Sequence, residues 1–158
     1  MPKTFLLLSI FCLLSILFIP DFIGSENNPY LWILGIVLFL NGTYLLIRGR
    51  NLLIQYGKME RNNFIQTSVV VKRKLFAIIR HPQYLGLIFI LLGLICSYQN
   101  WIDLDLGIVG ISLISIQAVK EEKYCSTLLG DDYNDYCQLI PRFNFITGVI
   151  KVIERKTY

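Results

Sequence analysis

Four apolar runs divide the chain: Phe5 to Ile19, closed by Pro20 and Asp21; Tyr30 to Ile47; Tyr84 to Tyr98; and Ile102 to Val119. Crossing a bilayer takes about 20 apolar residues in a helix, and each run approaches or reaches that length. The pattern predicts an all-α polytopic membrane protein, one membrane-embedded domain over residues 1–158 with about four transmembrane helices. The first and third runs are short for a span, so they are expected to extend past these limits or to lie where the bilayer thins. Only "QNWIDLD" separates runs three and four, which predicts a helical hairpin with Trp101 at an interface. From Lys120 the chain is too polar to span. It reads as a cytoplasmic helical tail of two short helices. "EEKYCSTLLG" ends on Gly130 as a C-cap. "DDYNDYCQLIP" begins with acids in its first turn and stops at Pro141.

The first run has a rival reading as a cleaved signal peptide, from Lys3, the 15-residue apolar stretch and "IGS". The barely charged start and the lack of small residues at both cleavage positions favour a retained helix. Charge sets the expected orientation. Asp21 and Glu26 are the only charges between runs one and two, whereas Arg48 to Arg80 holds Arg48, Arg50, Lys58, Arg61, Lys72, Arg73, Lys74 and Arg80 against Glu60. The positive-inside bias places that loop and both termini in the cytoplasm, in a multi-pass protein of the plasma (inner) membrane. Lys72, Arg73 and Lys74 are expected to touch anionic headgroups of the lipid bilayer. The formal charge of +4 is modest and its basic residues sit between apolar runs, which argues against nucleic acid as a partner. The four cysteines form no CxxC or Cys/His spacing, so neither a disulfide framework nor a metal site is expected.

The candidate chemistry lies where runs three and four meet the cytoplasmic side. In "RHPQYLG", Pro82 suits the first helical position and pushes His81 toward extended geometry, so His81 is the expected N-cap. The amides of Gln83 and Tyr84 would then face outward as an anion-attracting end, with Arg80 adding a fixed charge. The plainer alternative has Arg80 snorkelling to phosphates and His81 only capping. Glu121 and Glu122 follow the fourth run, where neither a helix C-terminus nor anionic lipid favours them. If the helix continues, Gln117 shares the face of Glu121. The alternative is that both acids are solvated or pair with Lys120 and Lys123. The hairpin brings the His81 end and the Glu121 end to one side.

The ordered set "RHPQYLG", a helical hairpin and "EEKYCSTLLGDDYNDYCQLIPRF" resembles the isoprenylcysteine carboxyl methyltransferase family, part of a larger group of membrane methyltransferases that includes the phospholipid methyltransferases. The likeness covers Ser68 to Phe143 as a cofactor-binding core over residues 68–143. It implies S-adenosyl-L-methionine as cofactor. His81, Pro82, Gln83 and Tyr84 stand where that family holds it, Glu121 at its cofactor glutamate and Glu122 as companion. Ser68, Val69, Val70 and Val71 would line the pocket through backbone contacts, with Phe76 where a tyrosine is common. Arg80 suits the cofactor's carboxylate, and His81 and Glu121 are the expected catalytic pair. Gln117 stands where eukaryotic members carry an arginine, which makes it a candidate substrate contact. "KRKLF" replaces the usual Thr-x-Gly-x-Tyr. The implied acceptor is lipid-like or a small hydrophobic molecule bearing a carboxylate, an amine or a thiol. An amine or thiol must lose a proton, and His81 is the one side chain that ordinarily titrates near neutrality. Two other readings are an NADPH-dependent membrane enzyme similar to sterol reductases, through "RHPQY" and Gly130-Asp131-Asp132 with Tyr136-Cys137, and a non-catalytic membrane protein.

Overall fold

A computed structural model describes residues 3–18, 28–57 and 69–157. The acidic residues Asp21 and Glu26, the loop charges Lys58, Glu60 and Arg61, and Ser68 lie outside the described residues. The elements in chain order are α1 (Thr4–Phe18), α2 (Pro29–Tyr56), a 3-10 turn (Lys74–Ala77), α3 (Pro82–Tyr98), α4 (Trp101–Leu129), α5 (Asp131–Leu139) and α6 (Phe145–Thr157). There is no strand among the described residues. Each apolar run became a helix. α2 and α4 are long and apolar enough to cross a membrane, and α1 and α3 are shorter apolar helices.

Two boundaries differ from the expectation. α2 continues past Ile47 to Tyr56, so Arg48 and Arg50 ride on a helix and not in a loop. "EEKYCSTLL" is no separate short helix but the last turns of α4. Between Ile111 and Leu129 there is neither glycine nor proline to stop the helix, so it runs on to Gly130. There the chain turns with φ +61° and the Gly130 amide donates to Ser126 O at 3.0 Å. α5 stops before Pro141 as expected, whereas α6 is an element that the apolar pattern did not announce.

α2 and α3 pack antiparallel through glycines seven residues apart. A Cβ built on Gly42 would stand 2.5 Å from Gly86 O, and one on Gly86 would stand 2.6 Å from Gly42 O. Gly35 and Gly93 repeat the relation at 2.6 and 2.7 Å, and Gly49 meets Gln83 and Pro82. Such close backbone approach is how small residues let helices associate where lipid offers no hydrophobic gain. α1 lies on α4, burying Ser9, Cys12 and Ile16. Tyr84, Ile90, Leu91 and Leu94 of α3 and Ile114 and Ala118 of α4 join Ile16 in one core. At the far end, Asn28 and Gln99 exchange two hydrogen bonds of 2.8 and 3.0 Å, joining the start of α2 to the end of α3. At the near end, Lys120 Nζ sits 4.0 Å over the Phe5 ring. The start of α1, the end of α2, the start of α3 and the latter part of α4 therefore share one end, where the polar residues gather.

Candidate functional site

The site is built on the first turn of α3. Pro82 is fully buried at the first helical position, and the two residues before it run beside the chain leaving α5. Arg80 N donates to Pro141 O at 3.0 Å and His81 N to Arg142 O at 3.4 Å. These bonds satisfy two amides outside any helix and fix the height of His81 against the tail.

His81 holds the N-cap position, but its side chain makes no capping hydrogen bond. Its Nε2 instead lies 3.1 Å from Glu122 Oε1, and its ring stacks on Tyr84 at 5.4 Å and 14°. A carboxylate makes a stronger hydrogen-bond partner than a backbone amide, which explains the diversion. The plainer reading of His81 as only a cap does not hold.

Glu122 is the hub. Arg142 grips it with two bonds, Nε to Oε1 at 2.9 Å and Nη2 to Oε2 at 2.6 Å. Arg80 Nη1 adds a contact to Oε1 at 3.2 Å. The Glu122 side chain is 12% exposed, so this charge is largely out of water and needs these partners. The Glu122 hydrogen bonds also push Arg142 above its ordinary pKa against the opposing effect of burial. The alternative pairing of these acids with Lys120 is not what the structure shows, since that ammonium lies over Phe5.

Glu121 is held differently. Among the described residues it accepts one hydrogen bond, from the Tyr84 hydroxyl to Oε2. One turn back, Gln117 is almost wholly buried, and its Oε1 has no partner among the described residues. Arg80 Nε is likewise buried and unpartnered among them. A buried polar atom without a partner costs about 1–3 kcal/mol, so such atoms ask for a ligand or water. The Lys3 ammonium, just before α1, also acts on the Glu121 charge, so Lys3, Arg80 and Arg142 together face the two glutamates.

The structure thus brings Arg80, His81, Tyr84, Gln117, Glu121 and Glu122 to one place. The described part of the upstream strip packs on α2 and α5. Val71 and Phe76 pack on Leu52 of α2, and Val70 packs against Tyr133, Tyr136 and Ile140. Phe76 O accepts the Tyr136 hydroxyl at 2.7 Å, and burial pushes the pKa of Tyr136 up, keeping it a donor. Val69 is half-buried at the start of this strip, and Gln83 lies along α2 beside Gly49. These residues brace the site. Two residues of the site were not foreseen: Arg142, and Phe143, whose ring lies 6.2 Å from His81. In the sequence, an arginine after a proline in a polar tail looks like any solvated cation. Only its position just beyond the stop of α5 hinted at more.

Comparison with curated proteins and with solved structures returns no match. The family model described as phospholipid methyltransferase matches residues 30–132. That stretch contains α2, α3 and α4 and ends in the first turn of α5, so it includes Arg80, His81 and both glutamates and stops short of Arg142. With well over half its length matched across the elements that carry the site, the chain belongs to the phospholipid methyltransferase family.

Proposed function

We propose that the protein transfers a methyl group from S-adenosyl-L-methionine to a lipid-like acceptor at the polar end of the bundle. The observation that carries this reading is the division of labour between adjacent glutamates. Among the described residues Glu122 is saturated by His81, Arg80 and Arg142, while Glu121 accepts a hydrogen bond from Tyr84 and has only the through-space charge of Lys3 beside it.

The residues fit the cofactor's chemistry. It carries a carboxylate, an ammonium, ribose hydroxyls and a positive sulfur. Arg80 Nε supplies an unused buried donor for an anion, and Gln117 Oε1 an unused buried acceptor for N–H or O–H. Glu121 suits a cation or hydroxyls, and the stacked His81 and Tyr84 rings offer faces to a planar or cationic group. When bound, the cofactor supplies an electrophilic methyl on its sulfonium. The protein's own part is to bind, align and keep water out, because transfer needs the acceptor in line and dry.

The family's description makes a phospholipid headgroup the first acceptor to test. The apolar side chains exposed along α1, α2 and α4, Phe11, Leu40 and Val109 among them, suit a bilayer, and an amphiphilic acceptor could enter from it sideways. An amine acceptor must lose a proton, and His81 on Glu122 and the Glu121 carboxylate are the groups placed to take it. In this reading all four apolar helices cross the membrane, and the basic end with both termini faces the cytoplasm.

Ligand-dependent stability of the purified protein is the test. S-adenosylhomocysteine at about a hundred times its dissociation constant should stabilise by about 2.7 kcal/mol, and NADPH should not. Glu121→Gln should weaken that binding tenfold or more in calorimetry, since a charge-assisted bond is worth about 1.5–3 kcal/mol. Stabilisation by NADPH alone would point to the reductase reading. Equal affinity of wild type and Glu121→Gln would remove Glu121 from the site.

A further inference from the structure

α6 presents its apolar face away from the protein. Ile146, Ile150 and Ile153 recur at one-turn and two-turn spacing and are all exposed, Ile146 by 72% and Ile153 by 59%. Phe145 at the helix start is exposed too. At about 100° per residue, Gly148 falls opposite the middle of that stripe. Gly148 is the side by which α6 rests on the body: a Cβ there would stand 2.1 Å from Ile78 O. The helix is thus anchored by its narrow side, two residues from Arg80, and turned with its isoleucines outward. Its placement is locally specified. The Asn144 side chain accepts from Thr147 N at 3.1 Å as a cap, and Lys151 Nζ donates to Gln138 O at 3.3 Å at the end of α5.

We infer that α6 lies on an anionic lipid surface, with Ile146, Ile150 and Ile153 sunk at the boundary of headgroups and acyl chains. Three observations favour lipid over other occupants. The helix "FITGVIKVIERKT" carries Lys151, Arg155 and Lys156 against Glu154, a basic excess that complements anionic headgroups. It is anchored through Gly148 on Ile78, four residues after Lys74, so its resting point follows closely in the chain on the exposed basic segment Lys72, Arg73 and Lys74. Apolar side chains are exposed along α1, α2 and α4 as well, so the stripe on α6 belongs to a chain that elsewhere presents surface suited to lipid. A helix with one apolar stripe, a polar remainder and basic flanks is the form that rests in an interface without spanning it. The helix follows directly on Arg142 and Phe143, so lipid contact would hold the segment that carries the clamp on Glu122.

The inference rests on the membrane placement of the bundle, and the test separates the two. Full-length protein is reconstituted in phosphatidylcholine–phosphatidylglycerol vesicles whose acyl chains carry bromine, a contact quencher of tryptophan. Trp101→Phe leaves Trp32 as reporter of the bundle. Trp32→Phe with Trp101→Phe and Ile150→Trp reports α6, and Glu154→Trp in the same background reports its polar flank. Emission at position 150 should fall as Trp32 emission does, while position 154 keeps most of its intensity. Ile153→Trp gives the same reading if the variant at 150 folds poorly. Quenching of Trp32 with none at 150 or 153 would overturn the inference and leave the bundle in the membrane. Equal quenching at 150 and 154 would overturn the facing of the helix. Unquenched emission at 150 with crosslinking between copies would assign the stripe to a second copy of the chain and overturn it too. Loss of quenching at every position would overturn the membrane placement itself, and α6 docking with it.

Discussion

Along its length α3 meets α2 through bare backbone, Gly42 against Gly86 and Gly35 against Gly93, whereas at its first turn it meets α4 and the tail through charge. The glycines of the seam themselves carry no side chain to titrate or to hold a ligand. The seam gives rigidity through close van der Waals contact over many atoms. The charge cluster makes few contacts, but each is directional, and it leaves Arg80 Nε and Gln117 Oε1 unpartnered among the described residues. A rigid seam beside a small polar cluster with spare valence is how a scaffold presents a site without having to deform with it. The contrast teaches where each kind of damage should appear. Changes in the seam should cost folding, and changes in the cluster should cost binding and activity.

The largest effect expected is from Gly42→Leu. Its Cβ would meet the Gly86 carbonyl oxygen and the backbone nitrogen of Ile90 inside 3 Å, and neither can swing away like a side chain. Overpacking of this kind costs about 3 kcal/mol, at the upper end of the usual range. Loss of folded protein, or a large fall in thermal midpoint in detergent, is the measurement. A near-normal midpoint would mean that the two helices do not approach this closely. Next comes Glu122→Gln, which leaves Arg80 and Arg142 facing a neutral amide. Breaking a buried pair costs about 3–5 kcal/mol, but Arg142 is 37% exposed, so about 2 kcal/mol is expected. If this variant proves less stable than Gly42→Leu, the cluster and not the seam is the principal tie. The smallest effect belongs to Arg142→Lys. It keeps the charge and loses the two-pronged grip, worth about 1 kcal/mol. It should lower turnover through the position of His81 more than it lowers the midpoint. Equal proportional losses in the two would make Arg142 a stability residue only.

How far the sequence announced these two regions follows from the same contrast. The cluster was legible because its parts are rare and punctuated: the one histidine before a proline, and two adjacent acids at the end of an apolar run. The number and order of the long helices followed from run length. The seam was not foreseen, since a glycine in an apolar helix reads alone as a mild defect. Its meaning appears only when the facing glycine of another helix is known. The separate helix expected at Glu121 failed because polarity was taken as a boundary, although nothing there stops a helix before Gly130. Arg142 escaped because its partner lies 20 residues earlier in another element. α6 escaped because its apolar stripe is short and mixed with charge. The packing of Val70, Val71 and Phe76 on α2 and α5 depends on tertiary neighbours that no local pattern encodes.

The hydrogen bonds from Arg80 and His81 to the carbonyls of Pro141 and Arg142 carry a consequence for the order of assembly. A nascent chain that has just completed α4 already contains His81, Glu121 and Glu122. It still has no acceptor for those two amides and no second guanidinium for Glu122. The apolar helices can therefore settle against each other while the polar end is unfinished. Only when residues 141 and 142 have been synthesised and have threaded back beside the start of α3 does the cluster close. Maturation of the site is then a distinct late event, governed by a long loop closure and not by the insertion of helices.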